Sequence, residues 1–153
     1  MSSDRILSIR AAATQDLGPL VELDAEVFGL ISYPYFVFRQ FYDLCPGGLL
    51  VATLDDLVCG YALVAQVLGS RRAYFVSLGV SPGSRGQGIG RSLAEAGLEF
   101  ARSNGFDSIK LSVEPSNAAA IALYRSLGFV QVGEDLTFFG ADGSRLIMQS
   151  ALS

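Results

Sequence analysis

Histidine is absent from this sequence of 153 residues. Its absence excludes a Ser-His-Asp type of nucleophile activation, a histidine general base and every zinc site that includes an imidazole ligand. Any acid–base chemistry in this chain must therefore use carboxylates, tyrosine, cysteine or water.

Cysteine and basic charge are also scarce. Only Cys45 and Cys59 are present, without Cys-x-x-Cys spacing. Two thiols in a domain of this size neither require a disulfide framework nor indicate a secreted protein. The net charge is −4, and no run of basic residues is longer than Arg71-Arg72. We therefore expect neither nucleic acid nor an anionic membrane as a partner, whereas a cationic substrate would be favoured.

Long apolar runs are missing as well. The longest apolar region, residues 57–68, is interrupted by Gly60 and Gln66 and is too short to span a bilayer. Residues 1–17 lack the apolar stretch of a signal peptide. These features and the reduced thiols predict a cytoplasmic location.

What is present is sufficient for one compact domain. Half of the residues are apolar and 17% are charged, and a chain this long buries roughly 70% of its unfolded surface. Because no repeat, low-complexity tract or linker is visible, we predict a single domain over residues 1–153.

Hydrophobic periodicity predicts an α/β (α+β) fold in which a central, mixed, mostly antiparallel sheet has helices on both faces. Thr14 and Ser116 are the predicted N-caps of the first and last helices. The predicted elements are an edge strand at 5–10, helices at 14–28, 34–42, 89–104 and 116–127, strands at 49–54, 57–68, 73–80 and 108–113, and a closing hairpin from 129–132 and 145–149 with Asp142-Gly143 at its tip.

A glycine-rich segment, residues 80–90 (VSPGSRGQGIG), lies between a predicted strand and a helix N-terminus. Successive backbone N–H groups and the helix dipole can hold a phosphate or diphosphate there. A dinucleotide-binding fingerprint would need glycine or alanine at 91 or 93, where the chain has Arg91 and Leu93. A P-loop would need a lysine, and Lys110 lies far downstream. Both common phosphate loops are therefore excluded.

The same loop does match the pattern Arg/Gln-x-x-Gly-x-Gly in residues 85–90, and a second segment, residues 112–129 (SVEPSNAAAIALYRSLGF), follows it. Together the two segments resemble the cofactor site of the GCN5-related N-acetyltransferase (GNAT) superfamily, closely over residues 74–133. The closing segment, 137–148, resembles that of ribosomal-protein and other N-terminal protein acetyltransferases. The resemblance implies the GNAT fold, acetyl-CoA as acetyl donor, no metal, and direct attack by a primary amine in a ternary complex.

The resemblance also implies roles for individual residues. Tyr124 corresponds to the general acid that protonates the departing thiolate, and it shares a helix face with Asn117. The residues implied in cofactor binding are two strand positions that pair with the pantetheine arm, the loop around the diphosphate, and one helix amide: Leu78, Val80, Arg85, Gly86, Gln87, Gly88, Ile89, Gly90, Arg91 and Asn117. From the residues alone, the glycines also suit a tight turn, Asn117 a first-turn helix position, and Tyr124 a half-buried aromatic.

The general base is less clear. Family members often carry a glutamate early in the strand before the loop, and Tyr74 stands there in this chain. Because an α-amino group has a pKa of ~7.7 to 8.0 and a lysine ~10.4, an α-amine needs less help to lose its proton. We take Glu26 and Glu114 as the catalytic candidates beside Tyr124. Four carboxylates suit action through a water, with an exposed or capping role as the alternative: Glu22, Asp24, Glu26 and Glu114.

Tyr33, Tyr35 and Phe138 are predicted to line the acceptor site. Residues 31–36 correspond to the family's acceptor-lining loop, although Tyr35 also suits a core anchor for the second helix. Phe138-Phe139 stands where relatives often carry Tyr-Tyr, so phenolic hydrogen bonds to a peptide backbone are lost. This loss argues against a peptide, but an α-amine needs the least help to lose its proton. We therefore still prefer the α-amine of a peptide or protein slightly, and keep a small-molecule amine acetyltransferase and a non-catalytic acyl-CoA sensor as alternatives. A monomer and a homodimer both remain open.

Overall fold

The computed structural model of the protein describes residues 6–140 and 143–152. The chain divides into two compact units. The first consists of the chain up to residue 64 together with residues 77–100, and the second of residues 65–76 together with the chain from residue 101 onward.

Four α-helices and seven strands occur within the described residues. The helices are α1 (Leu17–Phe28), α2 (Tyr35–Leu44), α3 (Ile89–Ser103) and α4 (Ala118–Ser126). The strands are β1 (Leu7–Ala11), β2 (Leu49–Leu54), β3 (Leu57–Gln66), β4 (Arg72–Val80), β5 (Ser108–Val113), β6 (Val130–Asp135) and β7 (Arg145–Ala151). None of the helices in the described segments is long and apolar enough to cross a membrane.

The strands are hydrogen-bonded in the order β1-β2-β3-β4-β5-β7-β6. The pairs β1/β2, β2/β3, β5/β7 and β6/β7 are antiparallel, and β4/β5 is parallel. This mixed, mostly antiparallel sheet confirms the predicted fold class. The edge position of the first strand is also as predicted.

The core of the first unit forms around α1 and β2. All six residues of β2 are buried, and α1 contributes Leu17, Leu20 and Leu23. The β2–β3 turn is made by Asp55 and Asp56, which adopt φ of 51° and 68°. These left-handed values give the hairpin its two-residue turn between the strands predicted at 49–54 and 57–68, because aspartate tolerates this backbone region better than most residues.

The second unit packs around β5 and β7. Ile109, Leu111, Phe129 and Met148 are buried there. The closing hairpin is confirmed, and β6 reaches Asp135, farther than predicted, with a register shift between Gln131 and Gly133. Asp142, at the predicted hairpin tip, lies outside the described residues.

Both predicted helix caps are wrong by a few residues. Thr14 begins a short 3-10 turn that precedes α1, and the carboxylate of Asp16 accepts the N–H of Ala13 at 2.7 Å. At α4, Asn117 and not Ser116 is the N-cap. At α1 neither cap residue bonds a helix N–H through its side chain. At α4 two residues with short polar side chains stand side by side, and the path of the incoming chain decides which one reaches a free N–H.

Asp16 is the electrostatic anchor of the chain entering α1. It is 4% exposed, and its carboxylate accepts two bonds from the Arg10 guanidinium, at 2.7 and 3.0 Å. The hydrogen bonds from Arg10 hold the pKa of the Asp16 carboxyl below its usual value. Its ionised form is therefore favoured in the folded chain.

We expect Asp16→Asn to lower the free energy of unfolding by about 1.5 to 3 kcal/mol at neutral pH, measured by urea denaturation. Because the folded-state pKa of Asp16 is depressed, its contribution is full above the unfolded pKa and is lost as the pH falls through the folded one. As a control, Asp43→Asn breaks only the exposed Arg39–Asp43 pair and should cost less than about 1 kcal/mol. Equal losses in the two variants would contradict the assignment.

Candidate active site

The glycine-rich loop leads from β4 into α3 in the first unit. A short 3-10 turn, Pro82–Ser84, is followed by four exposed residues, 85–88. Gly86 and Gly88 adopt φ of 79° and 75°. A Cβ added at either position would meet nothing within 4 Å, so the left-handed backbone, and not crowding, is what calls for glycine there.

This conformation leaves a series of backbone donors available. The N–H of Ser92 donates to the carbonyl of Gly88 at 3.1 Å, at the start of α3. No acceptor among residues 6–140 and 143–152 takes a hydrogen bond from the N–H groups of residues 86–90. Consecutive amides at an exposed helix N-terminus favour an anion, through both hydrogen bonding and the helix dipole. The loop therefore fits the diphosphate of a nucleotide cofactor.

The end of β4 carries the two predicted strand positions, Leu78 and Val80, which are half-buried. The register of β4 with β5 covers Arg72 to Phe75, so both positions lie beyond that ladder. The strand end is fixed on the β3 side, where the N–H of Ser81 donates to the carbonyl of Cys59 at 2.8 Å.

Asn117 and Tyr124 lie in the second unit. The side-chain oxygen of Asn117 accepts the N–H of Ala120 at 3.1 Å and so caps α4. This agrees with a structural role at the start of the helix. The exposed Nδ2 group makes no hydrogen bond within the described part of the chain, and it remains able to donate to a ligand.

Tyr124 is 9% exposed and packs edge-on against Phe129, with ring centroids 5.7 Å apart. Burial raises the pKa of the Tyr124 phenol, and the positive charge of Arg145 opposes that shift. Every buried polar side-chain atom of the described residues has a hydrogen-bond partner, yet no bond involves the Tyr124 hydroxyl. The hydroxyl itself therefore reaches solvent, at the end of a buried ring.

The four candidate carboxylates have different surroundings. Glu22, Glu26 and Glu114 are exposed, and Glu114 accepts a hydrogen bond from Ser116 at 3.3 Å. Asp24 is 1% exposed. It accepts the Tyr61 hydroxyl at 2.5 Å and the N–H of Tyr33 at 2.7 Å. An exposed role for Asp24 is therefore wrong. Its helical spacing after Leu17 and Leu20 is the sequence signal of this burial.

The segment between α1 and α2 presents both buried and exposed aromatics. The ring of Tyr33 packs against Phe38 and Phe41, with centroid distances of 5.7 and 6.1 Å. Tyr35 and Phe36 are 50% and 62% exposed. Tyr35 is therefore not buried as a core anchor of α2, and its ring is accessible to a ligand.

In the second unit, Arg145 joins β7 to its neighbours. Its guanidinium lies 5.7 and 5.4 Å from the ring centroids of Phe138 and Phe139. It also donates to the hydroxyl and carbonyl oxygens of Ser112, at 3.4 and 3.3 Å. Both phenylalanines remain partly exposed, so the ring of Phe138 is accessible to a ligand.

The comparison with known families agrees with the fold. The sequence profile of the acetyltransferase (GNAT) family matches residues 17–129. The chain therefore belongs to the GNAT acetyltransferase family, which confirms the resemblance found in the sequence.

Individual relatives add detail. The mycothiol acetyltransferase of Renibacterium salmoninarum is 38% identical over 106 residues, which are 65% of this chain and 30% of that protein. The ribosomal-protein-S18-alanine N-acetyltransferase from Escherichia coli is 25% identical with a TM-score of 0.83, covering 97% of this chain and 95% of that one. The structure of yncA from Salmonella typhimurium with its cofactor acetyl-CoA is 25% identical with a TM-score of 0.81, covering 96% and 94%.

The curated relatives are longer than this chain. The chain spans 21%, 30% and 48% of the lengths of three of them.

Proposed function

We propose that the protein is an acetyl-CoA-dependent N-acetyltransferase that transfers an acetyl group to a primary amine by direct attack in a ternary complex. The observation that carries the proposal is the exposed loop at the start of α3, where the amides of residues 86–90 are available to an anion. A family member solved with acetyl-CoA supports the choice of cofactor.

Acetyl-CoA, when bound, supplies an acetyl group activated as a thioester. The loop amides hold its diphosphate, and the backbone of β4 pairs with its pantetheine arm. Asn117 donates its free side-chain N–H to the same arm. No metal takes part. The proposed cofactor-binding residues are Leu78, Val80, Arg85, Gly86, Gln87, Gly88, Ile89, Gly90, Arg91 and Asn117.

Tyr124 is the proposed general acid. Its buried ring and solvent-reaching hydroxyl suit a phenol that stays protonated until a thiolate of pKa ~8.5 leaves. Glu26 and Glu114 are the proposed bases. Both are exposed, so they act through a water.

The α-amine of a peptide or protein is the preferred acceptor. An α-amine requires little activation, and the similar Escherichia coli enzyme is named for the alanine of a ribosomal protein. Tyr33, Tyr35 and Phe138 line the acceptor site in this proposal. The exposed ring of Tyr35 gives an apolar surface for the residue that carries the amine.

A small-molecule acceptor is the second candidate. The relative from Renibacterium salmoninarum is named for mycothiol and not for a protein. The Phe138-Phe139 pair also lacks the phenols that would bond a peptide backbone. A non-catalytic acyl-CoA sensor is the third reading, which turnover measurements separate from the first two.

We propose one acetyltransferase domain over residues 1–153, acting in the cytoplasm as a monomer or homodimer without nucleic acid or membrane partners. The match over residues 17–129 supports one domain, because it is continuous through segments of both compact units. The net charge of −4 supports the absence of polyanionic partners.

Acetyl-CoA at 100 times its Kd should stabilise the fold by about 2.7 kcal/mol, measured as a shift in Tm.

Gly86→Val places a β-branched residue at a φ of 79° and turns the amides away, so we expect the Kd of acetyl-CoA to rise at least about tenfold by calorimetry. Gly83→Ala is the matched control, since its Cβ meets nothing within 4 Å and its φ is not left-handed. An equal change in both variants would argue against the loop.

Transfer itself is tested by following CoA thiol release and product mass with Ala-Ala-Ala-amide, Nα-acetyl-lysine amide, spermidine and glucosamine. We expect the tripeptide amide to give the highest kcat/KM, because its amine is the most readily deprotonated peptide group in the set. Faster transfer to spermidine or glucosamine would favour the small-molecule reading. Binding of acetyl-CoA without product from any amine would favour the sensor.

Tyr124→Phe removes only the hydroxyl. We expect kcat to fall about 10²-fold, the usual effect of losing a proton-transfer group, while the Kd of acetyl-CoA stays nearly constant. An unchanged kcat would transfer the acid role to water.

A further inference from the structure

A hydrogen-bond chain runs through the first unit from α1 to β4. The carboxylate of Asp24 accepts the hydroxyl of Tyr61 at 2.5 Å, and that hydroxyl lies 2.7 Å from the Oγ atom of Ser77. The second oxygen of Asp24 accepts the N–H of Tyr33 at 2.7 Å. One buried carboxylate therefore holds both a hydroxyl chain and the segment in which we place the acceptor site.

The chain has a defined direction when Asp24 is ionised. A phenol carries one proton, and Tyr61 gives that proton to Asp24. The bond between Tyr61 and Ser77 must then have Ser77 as the donor. Ser77 is left with lone pairs alone on its outer side, so its Oγ atom can only accept from a further partner. An amine N–H is a donor of that kind.

Tight packing fixes the middle of the chain. Tyr61 is fully buried, and its ring packs edge-on against Phe38 with centroids 5.4 Å apart. On β4 the ring lies over Gly79, where an added Cβ would come within 3.1 Å of Tyr61 Cε1. The phenol therefore has no room to turn away from Asp24 and Ser77.

The outer end of the chain is accessible and well placed. Ser77 is half-buried, unlike Asp24 and Tyr61. It directly precedes Leu78, one of the two strand positions proposed to pair with the pantetheine arm.

We infer that Ser77 Oγ binds the N–H of the acceptor amine and passes its proton through Tyr61 to Asp24, an inference that rests on the proposed N-acetyltransferase function. Ser77 is the catalytic residue of this relay, since it touches the substrate. Tyr61 and Asp24 act through it as positioning residues. The relay supplies the base that the exposed glutamates would otherwise have to provide through water.

The protons and bonds balance. As the amine nitrogen bonds to the acetyl carbon, its proton passes to Ser77, the Ser77 proton to Tyr61, and the Tyr61 proton to Asp24. The carbon–sulfur bond breaks, and Tyr124 supplies the proton that the sulfur takes up. Asp24 ends as a neutral acid, and solvent restores both groups after the product leaves.

Burial raises the pKa of the Asp24 carboxyl, and the hydrogen bonds from Tyr61 and from the Tyr33 backbone oppose that shift. The titratable groups facing this network are the phenols of Tyr61 on β3 and Tyr33 before α2, with the uncharged Ser77 on β4. A raised pKa lies closer to neutral pH, which makes the ionised Asp24 carboxylate a stronger proton acceptor. The relay accepts only when Asp24 is ionised, so activity falls as the pH drops through this raised value.

Kinetics test the relay, with Ala-Ala-Ala-amide and acetyl-CoA as substrates across the pH range in which the fold is stable. We expect kcat/KM of Ser77→Ala and Tyr61→Phe to fall about 10²-fold, and Ser77→Thr to recover most of the loss. In Asp24→Asn the part of the acid limb that Asp24 adds to the pH profile should disappear, leaving only the limb set by protonation of the substrate amine. Matched controls are Ser150→Ala and Tyr42→Phe, which remove one serine hydroxyl and one tyrosine hydroxyl that take no part in the relay.

Infrared spectroscopy of the protein without substrates gives a second readout. The protonated-carboxyl band of Asp24 is identified by its absence in Asp24→Asn, and it should titrate above the usual carboxyl range. Its frequency should change in Tyr61→Phe and Ser77→Ala, but not in the two controls. A band that ignores Ser77, or kinetic losses no larger than in the controls, would overturn the relay. If no amine is acetylated, the proposed function fails and the relay fails with it, whereas acetylation that is unaffected by Ser77→Ala overturns the relay alone.

Discussion

The left-handed backbone at Gly86 and Gly88 is the constraint on which the proposed function depends. It turns the chain from β4 into α3 while leaving the N–H groups of residues 86–90 without an acceptor within the described chain. An uncapped helix start is costly when nothing binds there, because its N–H groups then have only water as a partner. A bound diphosphate would convert that cost into affinity. The buried side chains of Ile89 and Leu93 hold the helix in place beneath the loop.

The carboxylates divide by environment. Glu26 and Glu114 are exposed, and Glu114 accepts one long hydrogen bond from Ser116. Asp24 has given up water for two directional hydrogen bonds, and burial of a charge without such partners would be far more costly. A chain without histidine has few ways to build a base of intermediate strength. A desolvated carboxylate linked to the surface by hydroxyls is one of them.

Much of the fold was predictable, and the failures share a cause. The loop after β4, the hairpin turn at Asp55-Asp56 and most strand boundaries follow from local patterns of alternation and glycine. The caps do not. Ser116 and Asn117 are both good cap residues, and only the path of the chain leaving β5 selects between them. The partner of Asp24 was also hidden, since Tyr61 is 37 positions away. Local sequence placed Asp24 on an apolar helix face but could not show what meets it there.

Gly79 has a consequence for how this protein can vary. Its missing side chain is the space that the ring of Tyr61 occupies, and Phe28 lies close to the same point. Even a methyl group there would press on a ring that has no freedom to retreat. A relative with a larger residue at this position would need a smaller one in place of Tyr61, and with it would lose the phenol. We therefore expect a residue larger than glycine at position 79 to be accompanied by a smaller residue at position 61.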